Sequence, residues 1–170
     1  TEPIVATLPL PTSEPLPGDE GAPPERGRWV VVGDLHGSLG DLLRILGEEA
    51  GSFGFGSDDA GGVAGLPTAL NRIIFNGDFV DRGRHSVEVL ASVLALKLAF
   101  PKFVHLNRGN HEDVDLNYAY DFALEVQEKY SSDAKEFAKK WGDAEEEGVV
   151  QEILAAAGDV FEALPVAAVV

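Results

Sequence analysis

Three short glycine-flanked segments of this chain carry side chains of the types that can bind metal ions. They are Gly33-Asp34-Leu35-His36-Gly37, Gly77-Asp78-Phe79-Val80-Asp81-Arg82-Gly83 and Gly109-Asn110-His111-Glu112. Carboxylate, imidazole and amide ligands in this mixture suit manganese, iron or zinc better than calcium. Asp34 and His36 are two residues apart, so in an extended segment both side chains can reach one ion. The segments therefore predict a metal centre.

The same residues suggest hydrolysis of a phosphoester. A single carboxylate such as Asp78 can bridge two ions, and two ions roughly 3.5–4 Å apart can hold phosphate, polarise it and lower the pKa of a bridging water. Arg82 offers a planar fork for phosphate oxygens, and Asp81 is placed to orient a nearby imidazole. One Gly-Asp turn is commonplace, but three such segments in order are far more specific.

Each segment follows an apolar run that we predict to be a buried strand. These strands are Trp29–Val32, Ile73–Phe75 and Phe103–Leu106. Helices are predicted between them, over Leu39–Ala50 and Ser86–Ala99. This alternation predicts an α/β layered fold with parallel strand pairing, in which ligands bind at the carboxyl ends of the strands.

Local patterns refine this prediction. Ser38 is the expected N-cap of the first helix, whose predicted apolar face comprises Leu39, Leu42, Leu43 and Leu46. The glycine-rich stretch Gly51–Pro67 is predicted to be a surface loop. Beyond Glu112 the pattern turns helical, with Tyr118, Phe122 and Val126 on one face. Further helical pieces are predicted over Ala134–Trp141 and Ala144–Ala163, and a last strand over Val166–Val170.

Residues 1–27 differ in composition from the remainder of the chain. They hold most of the prolines, so we predict a proline-rich linker or arm, in which Ile4-Val5-Ala6 could dock on the domain surface. Residues 28–170 form the predicted domain. The 170-residue length and the 45% hydrophobic content of the whole chain fit one globular domain.

Charge and composition exclude several classes of partner. The chain has 13 basic and 29 acidic side chains and a net charge of −16, which disfavours binding to nucleic acid and to anionic membranes. No apolar run approaches the roughly 20 residues of a membrane span. The absence of cysteine excludes disulfides and zinc–thiolate sites, and it suits a reducing compartment, so we expect a cytoplasmic protein.

Several residues near the motifs are expected to have ordinary structural roles. Arg84 and Arg108 are expected in surface or structural ion pairs, His85 in solvent and His105 packed in or beside its strand. Trp29, Trp141 and the tyrosines are expected in the core, and the acidic run Asp143–Glu147 at a solvated helix start.

Together the three segments resemble the signature motifs of the metallophosphoesterases, especially the PPP family of protein serine/threonine phosphatases. The runs 75–83 and 106–113 are similar to the EF-hand-containing subgroup, the retinal degeneration C type, and the tetratricopeptide-bearing subgroup is the next most similar. The likeness continues beyond the motifs, at Asn117, Tyr120, Phe122, Glu125-Val126, Lys129-Tyr130 and Leu164 to Val170. It covers roughly residues 29–170.

The resemblance implies a calcineurin-like β-sandwich flanked by helices, with two divalent metal ions, manganese, iron or zinc, at one edge. By residue-for-residue comparison, Asp34, His36 and Asp78 would hold the first ion. Asp78 would bridge to the second, which Asn110 would also bind. His111, paired with Asp81, would be the general acid that protonates the leaving serine or threonine oxygen. Arg82 and Asn110 would contact the phosphate of a phosphoprotein substrate.

The chain also departs from the family pattern. Family members supply two further metal-binding histidines, another arginine and a tyrosine from sequence that follows the part matched here. We therefore expect the N-terminal half of a catalytic domain, incomplete at its C-terminal side and completed by a longer polypeptide or by a second one. Val166–Val170 would then be an unpaired strand. Asp121 stands where relatives usually carry glycine, and no EF-hand loop pattern is present.

The first functional hypothesis is a protein serine/threonine phosphatase. A related enzymatic alternative is a phosphoesterase for small molecules such as dinucleoside polyphosphates. The alternative from another class is a non-catalytic, phosphatase-like scaffold or assembly subunit, suggested by the missing half and the proline-rich arm. Against that alternative, a degenerate module would be free to lose the five residues Asp34, His36, Asp78, Asn110 and His111, and all are present.

Overall fold

The computed structural model describes residues 5–8, 27–47, 66–68, 71–141 and 146–170. The strands are β1 Val5–Thr7, β2 Arg28–Val32, β3 Asn71–Phe75, β4 Val104–Leu106 and β5 Ala167–Val169. The helices are α1 Leu39–Leu46, α2 Ser86–Ala99, α3 Val114–Ala119, α4 Phe122–Trp141 and α5 Glu146–Ala163. The predicted loop over Gly51–Pro67 lies almost wholly outside the described residues, as do the start of the acidic run at 143–145 and the Trp141 side chain.

A three-stranded parallel sheet with the order β2-β3-β4 carries the predicted motifs. Val30 pairs with Ile73, and Ile73 in turn pairs with Val104. Because parallel strands end on the same side, the segments that follow all three strands meet at one edge of the sheet. This confirms the predicted α/β organisation and the place of the motifs within it.

The central strand β3 lies in a continuous hydrophobic core. Ile73 and Phe75 are fully buried, and helices α1, α2, α4 and α5 contribute Leu42, Val89, Phe122 and Phe161. The rings of Phe122 and Phe161 lie 6.2 Å apart, which joins α4 to α5. The buried β-branched and aromatic side chains of β3 fit a central strand covered on both faces.

A second, two-stranded parallel sheet corrects two predictions about the ends of the chain. Val5–Thr7, predicted as part of a linker or arm, forms β1 and pairs with β5. The run Val166–Val170 is therefore not unpaired, and the Leu8 N–H donates to the Val169 carbonyl at 2.7 Å. Val5-Ala6-Thr7 contains no proline, so it can donate ladder hydrogen bonds that its proline-rich neighbours cannot.

Strand β2 is less buried than its continuous apolar sequence predicted. Val32 is buried, but Val31 is 63% exposed. Trp29 is only partly buried, and it lies beside the guanidinium of Arg72 at 5.6 Å. The alternation of burial along β2 is that of a strand with one face on the core.

Helix α1 begins after Ser38 as predicted, but the capping and the apolar face differ from the prediction. The Ser38 hydroxyl donates to Asp41 Oδ2 at 2.6 Å and does not accept a helix N–H. Leu42 is fully buried, whereas Leu43 is 58% exposed. The helix ends at Leu46, and residues 48–50, the last part of the predicted helix, lie outside the described residues.

The helical region after Glu112 contains a break that the sequence pattern did not predict. Helix α3 ends at Ala119 and α4 begins at Phe122. Tyr118 therefore does not share a buried face with Phe122 and Val126, and it is 60% exposed. Tyr120 is also exposed, so the prediction that the tyrosines lie in the core holds only for Tyr130, which packs against the core. Helix α4 continues without a break to Trp141, so the segment Ala134–Trp141, predicted as a separate helical piece, is part of it.

Within the part of the chain that the structure describes, none of the helices has the length and apolar character needed to cross a bilayer.

Candidate metal centre

Backbone hydrogen bonds tie the first two motif segments together at the sheet edge. The Asp78 carbonyl accepts from the N–H groups of Leu35 and His36, at 3.0 and 2.9 Å. The Phe79 carbonyl accepts from Gly37 at 2.8 Å. These bonds fix the segment that carries Asp34 and His36 against the segment that carries Asp78.

The third segment is held against the second by a side chain. Asp78 Oδ1 accepts a hydrogen bond from the His111 N–H at 2.9 Å. The backbones also approach closely, because a Cβ atom at Gly77 would collide with Gly109, and one at Gly109 would collide with Asp78. Gly77 has φ +93°, a conformation that favours glycine. These two glycines are therefore required by the close approach of the two segments.

This packing predicts that Gly109→Ala destabilises the complete protein by about 1–3 kcal/mol, the usual cost of inserting a methyl group where no space exists. The free energy of unfolding by urea measures the effect. Gly33→Ala is the matched control, since a Cβ there meets nothing within 4 Å. Equal stability of both variants would show that the close approach of the segments is not structurally important.

Asp34, His36 and Asp78 form a cluster with the donor chemistry of a metal site. One ligand atom from each lies within 4.8 Å of the other two. His36 Nδ1 lies 2.8 Å from the Val80 carbonyl, so Nδ1–H donates and Nε2 carries the lone pair. His36 Nε2 is buried and has no hydrogen-bond partner among the described residues. A buried lone pair beside two carboxylates fits a bound cation, which would satisfy it.

Asn110 lies at the same edge, between Gly109 and His111. The Gly109 N–H donates to Glu112 Oε2 at 2.8 Å, so the backbone on both sides of Asn110 is held by carboxylates. The Asn110 side chain is exposed. The structure thus brings it to the edge occupied by the Asp34 cluster, and its role as a ligand stays a prediction.

His111 and Asp81 form a buried pair beside this cluster. Their side chains are 3% and 0% exposed, and His111 Nδ1 lies 2.8 Å from Asp81 Oδ2. Asp81 Oδ1 accepts from the N–H groups of Asp121 and Phe122, at 3.0 and 2.7 Å. Asp81 therefore orients the imidazole with Nδ1–H toward itself and leaves Nε2 facing the site.

Arg82 lies beside the Nε2 atom of His111. Its terminal nitrogen is 3.4 Å from His111 Nε2, and the residue is exposed. The rings of His36 and Tyr120 also flank the His111 imidazole, with centroids at 4.7 and 5.0 Å. An anion bound near Nε2 would thus meet both a guanidinium and an imidazole.

Backbone strain is concentrated in these segments. In the described part of the chain four residues other than glycine have positive φ: His36, Asp78, Asp81 and Arg82. This left-handed conformation is unfavourable for side chains with a Cβ, and it is found where a site requires a particular orientation. All four residues were singled out from the sequence as site residues.

Glu112 has a structural role that the sequence did not predict. It is fully buried, and its two carboxylate oxygens accept from the N–H groups of Asp78, Phe79 and Gly109, at 2.7–2.8 Å. Burial raises the pKa of Glu112 even though these three donors favour the carboxylate. One side chain thus clamps the second and third segments, and its place inside the third motif was the available signal.

A second buried carboxylate, Glu125, joins α4 to the start of α2. It accepts from the Ser86 and Val87 N–H groups at 3.0 and 3.2 Å, and from the Lys129 ammonium at 2.9 Å. Lys129 also donates to both oxygens of Glu88, at 2.8 and 2.6 Å. We call Glu88, Glu125 and Lys129 the α2–α4 bridge.

The bridge shifts the pKa values of its two half-buried members, Glu88 and Lys129. Burial alone lowers the pKa of Lys129, but hydrogen bonds to Glu88 and Glu125 outweigh it and raise the pKa. Burial raises the pKa of Glu88, but hydrogen bonds, chiefly from Lys129, leave it below 4.5. Since the Glu88 pKa is lower in the folded state, its stabilising effect is complete above pH 4.5 and disappears as pH falls through the folded-state value.

We therefore expect Glu88→Gln to lower the free energy of unfolding of the complete protein by about 0.5–1 kcal/mol at pH 7. The difference from the unmodified protein should shrink as pH falls below 4.5. Urea denaturation at several pH values measures it, and Glu128→Gln, an exposed neighbour on α4, is the control. A difference that persists or grows in acid would contradict the assigned pKa direction.

The remaining charged and imidazole residues largely follow the sequence-based expectations. Arg108 forms an ion pair with Asp113 at 3.6 Å and donates to the Glu112 carbonyl, as predicted. His85 is exposed, and His105 is buried against Asn107. Arg84 is exposed, and the ion pair expected for it is not found among the described residues.

Comparison with known proteins agrees with the architecture. The family described as calcineurin-like phosphoesterase matches residues 27–170. The chain is 47% identical over 106 residues to serine/threonine-protein phosphatase rdgC of Drosophila melanogaster, which covers 62% of this chain and 14% of that protein. It is 44% identical over 110 residues to serine/threonine-protein phosphatase with EF-hands 2 of Homo sapiens, and this match covers 65% of this chain and 13% of that protein. It is 42% identical over 108 residues to human serine/threonine-protein phosphatase 5, and this match covers 64% of this chain and 19% of that protein.

A solved structure shows the same fold. It is a protein serine/threonine phosphatase from Saccharomyces cerevisiae with similarity to human phosphatase PP5, and it matches with a TM-score of 0.54 and 30% identity. The match covers 82% of this chain and 34% of that one. The predicted calcineurin-like fold and the likeness to the retinal degeneration C type are confirmed. The chain spans 13–19% of the length of these curated relatives.

Proposed function

We propose that this chain, which belongs to the calcineurin-like phosphoesterase family, supplies the metal-binding half of a protein serine/threonine phosphatase. The observation that carries the proposal is the position of the buried His111–Asp81 pair beside the Asp34, His36 and Asp78 cluster. A proton donor next to a cation site and a guanidinium is the arrangement that hydrolysis of a phosphate monoester needs.

The metal site would use the residues that the sequence singled out. Asp34, His36 and Asp78 would hold one divalent ion, and Asp78 and Asn110 would bind a second. When bound, such a pair supplies a water that is nucleophilic at neutral pH and polarises the phosphate. Manganese, iron and zinc all suit the donor set.

Other side chains around the site would bind the phosphate and protonate the leaving group. Arg82 would hold phosphate oxygens through its planar guanidinium, and Asn110 would contact the same group. His111 Nε2 would carry the proton that the leaving serine or threonine oxygen needs, since an alkoxide is a poor leaving group. Asp81 would keep the orientation of the imidazole, because its other oxygen is anchored by the N–H groups of Asp121 and Phe122.

Three broader parts of the proposal concern the whole protein: its substrate, the source of the remaining metal ligands and its location. Relatives that match this chain over 13–19% of their length are named serine/threonine phosphatases, which supports a phosphoprotein substrate. We propose that the remaining metal ligands come from outside this chain, from a C-terminal half or a second polypeptide. A cytoplasmic location is proposed from the absence of cysteine.

The test compares two substrates with the complete protein in the presence of Mn²⁺. Release of phosphate from a phosphoserine peptide is measured beside cleavage of a dinucleoside tetraphosphate. A higher kcat/KM for the peptide is expected. The reverse preference would indicate a small-molecule phosphoesterase, and no turnover of either substrate would indicate a scaffold.

A further inference from the structure

The start of α4 is attached to the proposed acid through Asp81. The N–H groups of Asp121, which precedes the helix, and of Phe122, its first residue, both donate to Asp81 Oδ1. The other oxygen, Oδ2, holds His111 Nδ1 at 2.8 Å. Any movement of the α4 N-terminus therefore moves the group that orients the imidazole.

Glu125 fixes this helix relative to the segment that contains Asp81. It lies one turn into α4, where its own N–H donates to the Asp121 carbonyl at 2.8 Å. Its carboxylate, 8% exposed, accepts from Ser86 and Val87, the first two residues of α2. Residues 82–85 connect Asp81 to α2, so the Glu125 contact closes a ring that runs from Asp81 through α2 and α4 and back to Asp81.

The carboxylate of Glu125 is suited to this task because both oxygens are used. Oε2 accepts from Ser86, and Oε1 accepts from Val87 and from Lys129. A glutamine has only one acceptor oxygen, and an NH₂ group replaces the other. The donors that now bind the replaced oxygen would therefore lose their acceptor. Lys129 in turn is held by Glu88 on α2, which aligns the two helices at a second point.

We propose that Glu125 is a positioning residue for the His111–Asp81 pair, acting through the start of α4. It does not touch the site itself, and its role rests on the proposed phosphatase function. Loss of its contacts would let α4 shift relative to Asp81 and turn His111 away from the leaving oxygen. Protonation of that oxygen would then be the step that suffers.

The experiment compares two substrates that differ in their need for an acid. A phosphoserine peptide has an alkoxide leaving group, whereas p-nitrophenolate leaves without protonation. In the complete protein with Mn²⁺, Glu125→Gln is expected to lower kcat by about 10- to 100-fold for the peptide and by about 3-fold or less for p-nitrophenyl phosphate. Glu128→Gln, exposed on the same helix, is expected to change neither rate.

The ratio of the rate on the peptide to the rate on p-nitrophenyl phosphate distinguishes a positioning role from a purely structural one. Because both are measured on one preparation, their ratio does not depend on how much of the variant is folded, and a purely structural role leaves it unchanged. Glu125→Asp, which keeps the charge on a shorter side chain, is expected to give an intermediate ratio and serves if Glu125→Gln yields no folded protein. An unchanged ratio in either variant would overturn the positioning role. Failure of the unmodified protein to hydrolyse either compound would instead overturn the proposed function.

Discussion

Replacement of Asp78 with asparagine is expected to lower phosphoserine hydrolysis by the complete protein about 1,000-fold or more, since under the proposed function Asp78 would be shared by two ions and would supply several kcal/mol to the reaction. The amide oxygen of asparagine can still accept the His111 N–H that Asp78 Oδ1 accepts now. The negative charge and the second anionic oxygen are lost. The initial rate of phosphate release from a phosphoserine peptide in Mn²⁺ measures the effect.

The control for this variant is Asp159→Asn, which removes an exposed carboxylate on α5. It should keep full activity. Urea denaturation should show that Asp78→Asn remains folded, so that the loss is one of chemistry. Retention of substantial activity by folded Asp78→Asn would remove Asp78 from the metal centre.

His111→Asn is expected to lower kcat for the phosphoserine peptide by about 10²- to 10⁴-fold, the usual contribution of a general acid. The imidazole is buried and held by Asp81, and the asparagine amide that replaces it is not an acid that can protonate the leaving oxygen. The loss should be much smaller for p-nitrophenyl phosphate, whose leaving group needs no proton.

Parallel measurement of both substrates on one preparation checks this prediction. The same loss for both would mean that His111 binds substrate or metal but does not protonate the leaving oxygen. Lys102→Met, on the turn before β4, is a suitable control because Lys102 is exposed and belongs to no motif.

The sequence was sufficient to predict the strands that carry the site. Apolar runs followed within three residues by Gly33, Gly77 and Gly109 predicted β2, β3 and β4, and parallel pairing then placed the motif residues at one edge. The prediction succeeded because these signals are local: strand propensity, a glycine that allows a tight turn, and metal-binding side chains at fixed spacing.

What the sequence did not predict depends on contacts between distant residues. Val5–Thr7 forms a strand only because Ala167–Val169 lies beside it. Leu43 matches the helical period of Leu39 and Leu46, yet burial depends on what packs against the helix, and Leu43 is 58% exposed. The break between α3 and α4 arises where Asp81 accepts N–H groups from residues 40 and 41 positions later.

The carboxylates that support the site were missed for the same reason. Glu112 accepts from N–H groups 33 and 34 residues earlier in the chain, and Glu125 from groups 38 and 39 residues earlier. Backbone donors are present at almost every position, so no spacing of residue types identifies them. A buried glutamate within or just after a motif, with no assigned role, is the sequence feature that should prompt a search for such contacts.

The most direct test of metal-dependent phosphoserine hydrolysis is phosphate release by the complete protein after its metal ions have been removed by chelation. A phosphoserine peptide is the substrate, and the rate is measured before and after addition of Mn²⁺. We expect no turnover by the stripped protein and recovery with Mn²⁺ in the unmodified protein, but no recovery in Asp78→Asn. Full activity after chelation, or equal recovery in the variant, would contradict a metal centre built on Asp34, His36 and Asp78.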